Sequence, residues 1–304
     1  MKLPRVSAIF SIIAIILIIL YSAFTINGVI ASNAPPTVVF TLGAAHRDIT
    51  YCNSQTLDIY IPDDAVTHPL PLALYVHGGG MTSGDKADIN PVFVNALATA
   101  GYAVASINYR LAPLYKFPDQ IQDLKCAIRY LRGNAQRYGL NASALFAFGT
   151  SVGGQLVALA ALTGTHSAFD VGPYLNESSA LTAVVDMFGP ANLTEVGGGY
   201  SASDILQVFG SNQSDVMLAS PTHFVTSNSP PILIIQGIND TTVLESQSIQ
   251  LYDKLLAMGD QTQLVLVQNM GHMFVQAGPE PISPSFAQIA QDMVNFFGKY
   301  RAGG

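Results

Sequence analysis

Charged side chains are scarce in this sequence, and those that it has are not clustered. Aspartate, glutamate, lysine and arginine make up 11% of its 304 residues, and the formal net charge is −7. The 13 lysines and arginines form no basic run beyond the N-terminus. Proteins that bind nucleic acid neutralise phosphates with clustered basic side chains. The sequence therefore predicts no nucleic-acid partner.

Spacings typical of metal and cofactor sites are also absent. The six histidines include no H-x-x-x-H pair, and the two cysteines form no C-x-x-C, so the usual patterns of metal ligands are missing. The glycine run at 197–199 is not followed by the Lys-Ser/Thr of a phosphate-binding loop, and no dinucleotide-binding fingerprint occurs. We expect no metal and no cofactor.

The two cysteines, Cys52 and Cys126, allow two interpretations. An exported compartment would permit a disulfide between them. Alternatively, both are buried free thiols, because Cys126 lies in a helical pattern and free cysteine is among the most buried residue types. The sequence leaves both interpretations open.

The N-terminus has the pattern of a targeting or anchoring segment. Lys2 and Arg5 precede an uncharged apolar stretch from residue 6 to about residue 26. Residues 1–32 are therefore predicted to be a secretory signal peptide, with cleavage after Ala31. The apolar stretch is also close to the length of about 20 residues that spans a bilayer, so a retained membrane anchor is the alternative. Both interpretations place the predicted folded domain, residues 33–304, outside the cytoplasm.

Apolar runs alternate with helical patterns along the rest of the chain, which predicts an α/β fold with a mostly parallel sheet covered by helices on both faces. Strands are predicted at 37–42, 57–61, 71–76, 102–107, 144–148, 182–187, 231–235 and 264–267, with the first two antiparallel. Helices are predicted at 91–100, 117–138, 155–163, 245–258 and 285–300. Residues 164–218 are less regular and are predicted to hold a short cap over the site; the alternative is a surface excursion.

Two glycine-rich motifs each follow an apolar run. The G-x-S-x-G pentapeptide at 149–153 also precedes a helical pattern. This is the context of a nucleophile elbow, a strained turn that tolerates little beyond glycine beside the serine. It predicts Ser151 as a nucleophile. Upstream, His77-Gly78-Gly79-Gly80 follows the run 71–76, and bare backbone N–H groups there can stabilise an oxyanion.

A serine hydroxyl requires a base, and the base requires an acid that orients it. In this architecture the order along the chain is serine, acid after a later strand, and histidine after the last strand. Asp240 and His272 fit that order. The competing acids are Asp186, Asp170 and Glu245. The competing histidines are His46, His68, His77, His166 and His223.

With these motifs the chain resembles the α/β-hydrolase superfamily, and within it the esterase/lipase family with an H-G-G-G turn. The most similar branch is the bifunctional feruloyl and acetyl xylan esterase-like branch, BD-FAE, and the resemblance covers roughly residues 50–297. Besides the two glycine motifs, it is carried by the segments 83–86, 108–113, 117–118, 131–132, 188–190, 219–221 and 271–272, and by Asp123 and Asp240.

The resemblance implies an acyl-enzyme mechanism that needs no cofactor. Ser151 is acylated, His272 acts as base and then as acid, and Asp240 orients it. Backbone N–H groups of Gly78 or Gly79 and of Val152 are implied as oxyanion donors. The segment 109–110 and Asp123 are implied to be structural, bracing the sheet and the oxyanion loop.

Four positions depart from the family pattern. Met81 stands where relatives usually carry tryptophan, Val152 where alanine is common, Gln236 where histidine is frequent, and Leu244 where proline is frequent. Because Met81 and Val152 adjoin the two glycine motifs, we expect them to change the shape of the acyl pocket.

The sequence as a whole predicts an exported carboxylic ester hydrolase that acts on small-molecule esters with short to medium acyl groups, or on aryl esters. One alternative is a serine peptidase of the same fold, although such enzymes usually carry a large extra domain. The other is a non-catalytic binding protein on this fold.

Overall fold

The structure of the protein is a computed structural model that describes residues 42–62, 69–164, 168–195 and 199–301. The predicted leader at 1–32 and the start of the predicted domain at 33–41 lie outside the described residues. His68, His166 and two glycines of the run at 197–199 lie outside them as well.

One sheet of eight strands organises the described part of the chain. The strands are Leu42–Thr50 (β1), Thr56–Pro62 (β2), Leu70–Val76 (β3), Ala103–Ile107 (β4), Leu140–Thr150 (β5), Val184–Met187 (β6), Ile232–Gly237 (β7) and Thr262–Val267 (β8). Their order across the sheet is β1-β2-β4-β3-β5-β6-β7-β8. The pairs β1–β2 and β2–β4 are antiparallel, and the remaining pairs are parallel.

Helices cover both faces of this sheet. They are Pro91–Thr99 (α1), Asp119–Gly133 (α2), Ala135–Tyr138 (α3), Val152–Thr163 (α4), Ala202–Phe209 (α5), Gln213–Leu218 (α6), Glu245–Ala257 (α7) and Phe286–Arg301 (α8). Side chains alternate between faces along each strand. In β3, Leu72 and Leu74 join the apolar cluster under α2, α4 and α7. Ala73 and Tyr75 join the cluster under α1 and α8. The predicted α/β architecture is confirmed.

Several predicted elements have different bounds in the structure. The helix expected at 117–138 is divided into α2 and α3 at Asn134, whose side-chain amide donates to the Tyr130 carbonyl at 2.8 Å and caps α2. Residues 37–41 of the first predicted strand lie outside the described residues, and β1 continues past the expected end at 42, because it stays paired with β2 as far as Thr50 opposite Thr56.

A disulfide ties the first hairpin to helix α2. Cys52, in the turn between β1 and β2, is bonded to Cys126 of α2, with their Cα atoms 6.1 Å apart. Both cysteines are buried. Beside this bond, the Asn53 side chain donates to the Asp123 carboxylate at 2.7 Å, and Nε of Arg110 donates to the same carboxylate at 2.8 Å. Of the two interpretations that the sequence left open, the disulfide is the one that the structure has.

Candidate active site

Ser151 occupies a sharp turn between the end of β5 and the start of α4. Its backbone has φ 54° and ψ −126°, and a non-glycine residue with positive φ is strained. The Ser151 N–H donates to the Met187 carbonyl at 2.9 Å, and the Ser151 carbonyl accepts from the Gln155 N–H at 3.0 Å. The neighbouring strand and the helix therefore hold the serine in the turn that the pentapeptide predicts.

The glycines on either side of Ser151 are required by the close approach of backbone. A Cβ on Gly149 would lie 2.4 Å from the carbonyl carbon of Gly153. A Cβ on Gly153 would lie 2.1 Å from the carbonyl oxygen of Val76 in β3. Neither distance is possible for a real side chain without displacing a strand or the helix. The G-x-S-x-G spacing thus follows from how tightly α4 packs against β3 and β5.

Asp240, His272 and Ser151 form a continuous chain of hydrogen bonds. Nε2 of His272 lies 3.0 Å from Oγ of Ser151, and Nδ1 of His272 lies 2.7 Å from Oδ2 of Asp240. Asp240 is buried in the turn after β7, where its Oδ1 accepts from the N–H groups of Thr242 and Val243 at 2.8 and 3.0 Å. These two bonds fix the carboxylate, so that its second oxygen faces the imidazole.

The competing acids have other partners. Asp170 forms ion pairs with Lys125 and Arg129 of α2. Asp186 is buried at the end of β6 and accepts from the Gly189 N–H at 2.9 Å. Glu245 begins helix α7.

The competing histidines that the structure describes also pack elsewhere. His46 lies edge-on against Tyr138, with ring centroids 5.2 Å apart, and His223 lies edge-on against Phe224. His77 is stacked on Tyr109 at a centroid distance of 4.2 Å. Its Nδ1 is 2.7 Å from the Gly78 carbonyl, which can only accept, so this nitrogen carries the proton. Burial lowers the pKa of His77, which keeps the ring neutral at neutral pH.

The glycine run 78–80 borders Ser151. Gly79 has φ 104°, a conformation that favours glycine, and it lines the pocket together with Val152. Gly78 is buried beneath, where a Cβ would lie 3.3 Å from Cβ of Ser151. The Tyr109 hydroxyl donates to the carbonyls of His77 and Gly78 at 3.0 and 3.3 Å. Tyr109 therefore braces the loop, as the resemblance implies.

A pocket of about 290 Å³ opens above the serine. It is lined by Gly79, Gly80, Ser151, Val152, Pro190, Gly199, Tyr200, Thr242, Val243, His272 and Met273. Met81 is not among these residues and is fully buried. Met81 therefore does not contact the pocket directly, because the chain turns its side chain into the core immediately after the glycine run. Val152 does line the pocket.

Sequence reasoning missed two residues that shape this pocket, Tyr200 and Gln155. Tyr200 lies in the region 164–218, and its hydroxyl donates to Oε1 of Gln155 at 3.2 Å. Gln155 is fully buried on α4, one turn after Ser151. A signal for Gln155 was present in the sequence, since it is the only amide side chain in that mostly apolar helix.

Asp186 is the most perturbed carboxyl group beside the elbow. Burial raises its pKa from 3.8 to about 7, against the opposing effect of the Gly189 N–H. Its Oδ2 has no hydrogen-bond partner among the described residues. In the unfolded chain this group loses its proton near pH 4, whereas in the folded protein it keeps the proton up to about pH 7. The raised pKa therefore does not lower the free energy of unfolding below about pH 4. The loss of stability grows between pH 4 and pH 7, and it is constant above pH 7.

Asp186→Asn is consequently expected to stabilise the protein at pH 8 more than at pH 5. The shift of about three pKa units corresponds to about 4 kcal/mol, and the unpartnered amide group costs about 1–3 kcal/mol, which leaves a gain of about 1–3 kcal/mol at pH 8. Urea unfolding of both proteins at the two pH values measures this difference. If the difference in free energy of unfolding between the two proteins is the same at pH 5 and pH 8, the raised pKa assigned to Asp186 is wrong.

Within the described ranges, no group of His, Cys, Asp and Glu side chains is arranged to hold a metal ion. None of the helices in those ranges combines the length and the apolar character that crossing a bilayer requires.

Comparison with known proteins relates this chain to esterases. Residues 57–255 match the BD-FAE family model. The chain is 29% identical over 232 residues to Esterase LipC of Mycobacterium tuberculosis, covering 73% of this chain and 57% of LipC. It is 30% identical over 200 residues to Esterase LipQ of the same organism, covering 63% of this chain and 47% of LipQ. The chain thus spans about half the length of these curated relatives.

Among solved structures, the chain is similar to a truncated form of a carbohydrate esterase from gut microbiota. The TM-score is 0.75 and the sequence identity is 29%, and the match covers 86% of this chain and 97% of the other. The structural match extends over nearly all of the carbohydrate esterase chain, which confirms the expected α/β-hydrolase fold class.

Proposed function

This chain belongs to the BD-FAE family of α/β-hydrolases, and from that membership we propose that it hydrolyses carboxylic esters through an acyl-enzyme formed on Ser151. The observation that carries the proposal is the hydrogen-bonded chain from Asp240 through His272 to Ser151, with distances of 2.7 and 3.0 Å. Both distances are within the reach that proton transfer to a base requires.

In the proposed first step, Oγ of Ser151 attacks the ester carbonyl carbon while Nε2 of His272 takes the hydroxyl proton. Asp240 holds the Nδ1–H tautomer and stabilises the imidazolium that forms. The imidazolium then gives its proton to the leaving alkoxide, and the alcohol departs. Water attacks the acyl-enzyme by the same route, with His272 again as base, and releases the acid.

Negative charge develops on the carbonyl oxygen in both steps. We assign its stabilisation to the backbone N–H groups of Gly79 and Val152, because both residues line the pocket beside Ser151. Gly78, the other candidate, is buried below the pocket and supports the loop. No cofactor takes part in these steps.

The proposed substrates are small esters with short to medium acyl groups, or aryl esters. The pocket of about 290 Å³ lies at the lower end of the range of about 300–1,000 Å³ that is usual for small-molecule sites. The short cap proposed for 164–218 reaches the pocket through Pro190, Gly199 and Tyr200. Because one structural relative is a carbohydrate esterase, acetylated sugars belong among the substrates to be tested.

The test combines a serine-directed fluorophosphonate with a panel of substrates. We expect the purified protein to be labelled at Ser151 and to hydrolyse p-nitrophenyl acetate and butyrate. The panel adds feruloyl esters, acetylated sugars and aminoacyl amides. Cleavage of the amides without the esters would indicate a peptidase. Failure of both labelling and hydrolysis would indicate a binding protein instead of an enzyme.

We infer further that the domain works outside the cytoplasm, either secreted or anchored by its N-terminal segment. The disulfide between Cys52 and Cys126 supports this location, because disulfides persist mainly in oxidising compartments. The basic start and the apolar stretch of residues 6–26 support it as well.

A further inference from the structure

Tyr200 forms part of the pocket wall, and its hydroxyl has a rigid anchor. It donates to Oε1 of Gln155 at 3.2 Å. The Nε2 group of the same glutamine donates to the Ala219 carbonyl at 2.8 Å. Gln155 is fully buried, so neither bond competes with water. The tyrosine ring is therefore held in one position by Gln155, which lies one helical turn from the nucleophile.

The space behind Tyr200 is apolar. The ring of Phe209 lies 5.7 Å from the Tyr200 ring, centroid to centroid, and the ring of Phe117 lies 5.7 Å beyond Phe209. Phe117 is in turn 5.9 Å from Phe169, and all three phenylalanines are buried. The Tyr200 ring thus separates the pocket from a buried aromatic cluster. Without that ring, the pocket would extend into an apolar recess bounded by Phe209.

The mechanism indicates which part of the ester faces this wall. The leaving alcohol must lie beside Nε2 of His272, which protonates it. The next residue, Met273, also lines the pocket and is 48% exposed, so the pocket is open on that side. The wall at Tyr200 is closed, since the buried Phe209 ring lies directly behind the tyrosine ring. The alcohol therefore occupies the open side, and the acyl chain faces the closed wall that contains Tyr200.

We propose that Tyr200 is a specificity-determining residue that sets the maximum acyl chain length and restricts this enzyme to esters of short acids. The proposal rests on the proposed ester hydrolysis and adds the substrate class to it. The anchored ring blocks the path of a longer chain into the space beside Phe209. Short acyl groups end before they reach the ring.

The test is the ratio of kcat/KM for p-nitrophenyl octanoate to that for p-nitrophenyl acetate. The wild-type protein should prefer acetate. Tyr200→Ala should raise the ratio by about tenfold or more, because misfit of even one methylene is worth about 10-fold or more in such pockets. Tyr200→Phe loses the hydroxyl anchor but keeps the ring packed against Phe209, and it should retain the wild-type ratio. Tyr200→Leu, which fills more space, provides a second shortened side chain if the alanine variant does not fold.

Tyr252→Ala is the matched control. This tyrosine is also partly buried against the same apolar cluster, but it lies on α7 and does not line the pocket. Its variant should have the wild-type ratio. An equal rise in Tyr252→Ala, or an unchanged ratio in every folded shortened variant of Tyr200, would overturn the proposal. The proposal would also be overturned if Tyr200→Ala changed kcat/KM only for acetate esters with longer alcohols. If the wild-type protein hydrolyses no ester, the proposed function itself fails, and this inference fails with it.

Discussion

Ser151→Ala is expected to lower kcat/KM for p-nitrophenyl acetate by about 10⁴-fold or more while the protein remains folded. The hydroxyl is the only group of Ser151 that takes part in the proposed chemistry, and alanine fills the same turn without it. The backbone bonds of residue 151 to Met187 and Gln155 do not involve the side chain. The thermal midpoint should therefore change little, and fluorophosphonate labelling should be lost.

The matched control for this variant is Ser227→Ala. Ser227 is exposed in the loop before β7, at the opposite end of that strand from Asp240. Its variant should be labelled and active like the wild-type protein. If Ser151→Ala, purified free of contaminating esterase, retains activity, then Ser151 is not the nucleophile.

Removing the disulfide is expected to have the largest effect on stability. The bonded cysteines are 74 residues apart in the sequence, and a closed loop of this size restricts the unfolded chain by about 4 kcal/mol. Cys52→Ala/Cys126→Ala should thus unfold at a temperature lower by about 10 °C. Circular dichroism of both proteins during heating measures the difference. Activity at 25 °C should remain, because neither cysteine lines the pocket.

A reducing agent distinguishes the cross-link from simple loss of packing. The wild-type midpoint should fall toward that of the double variant when dithiothreitol is present during heating, whereas the midpoint of the double variant should not move. Equal midpoints of the two proteins without reductant would show that the bond contributes nothing to stability.

The positions of Ser151, Asp240 and His272 could be predicted because they follow from topology. Each comes after a strand, and the carboxyl ends of parallel strands meet at one edge of the sheet. The structure brings the three side chains within hydrogen-bond distance, although 121 residues separate the serine from the histidine. The glycines at 149 and 153 were likewise predictable, because their reason is local: strand and helix approach too closely for a Cβ.

Other features depend on contacts between segments that are distant in sequence and have no fixed spacing. The hydrogen bond between Tyr200 and Gln155 joins an irregular loop to a helix, and no pattern in either segment indicates the other. Met81 adjoins the glycine run in sequence, which suggested a place in the pocket, but the backbone turns its side chain into the core. The pairing of Cys52 with Cys126 also depends on tertiary proximity, which two cysteines alone do not establish.

Gly199 and Val243 lie on two neighbouring loops, and there is no room between them for a side chain at 199. A substitution in one loop therefore affects the other. Any side chain at 199 would press on Val243, whose N–H holds the Asp240 carboxylate at 3.0 Å. A side chain introduced at 199 to reshape the entrance would thereby displace the loop that holds the Asp240 carboxylate, which orients the imidazole. Variation in these loops has to be concerted, and directed evolution of the entrance should randomise 199 and 243 together.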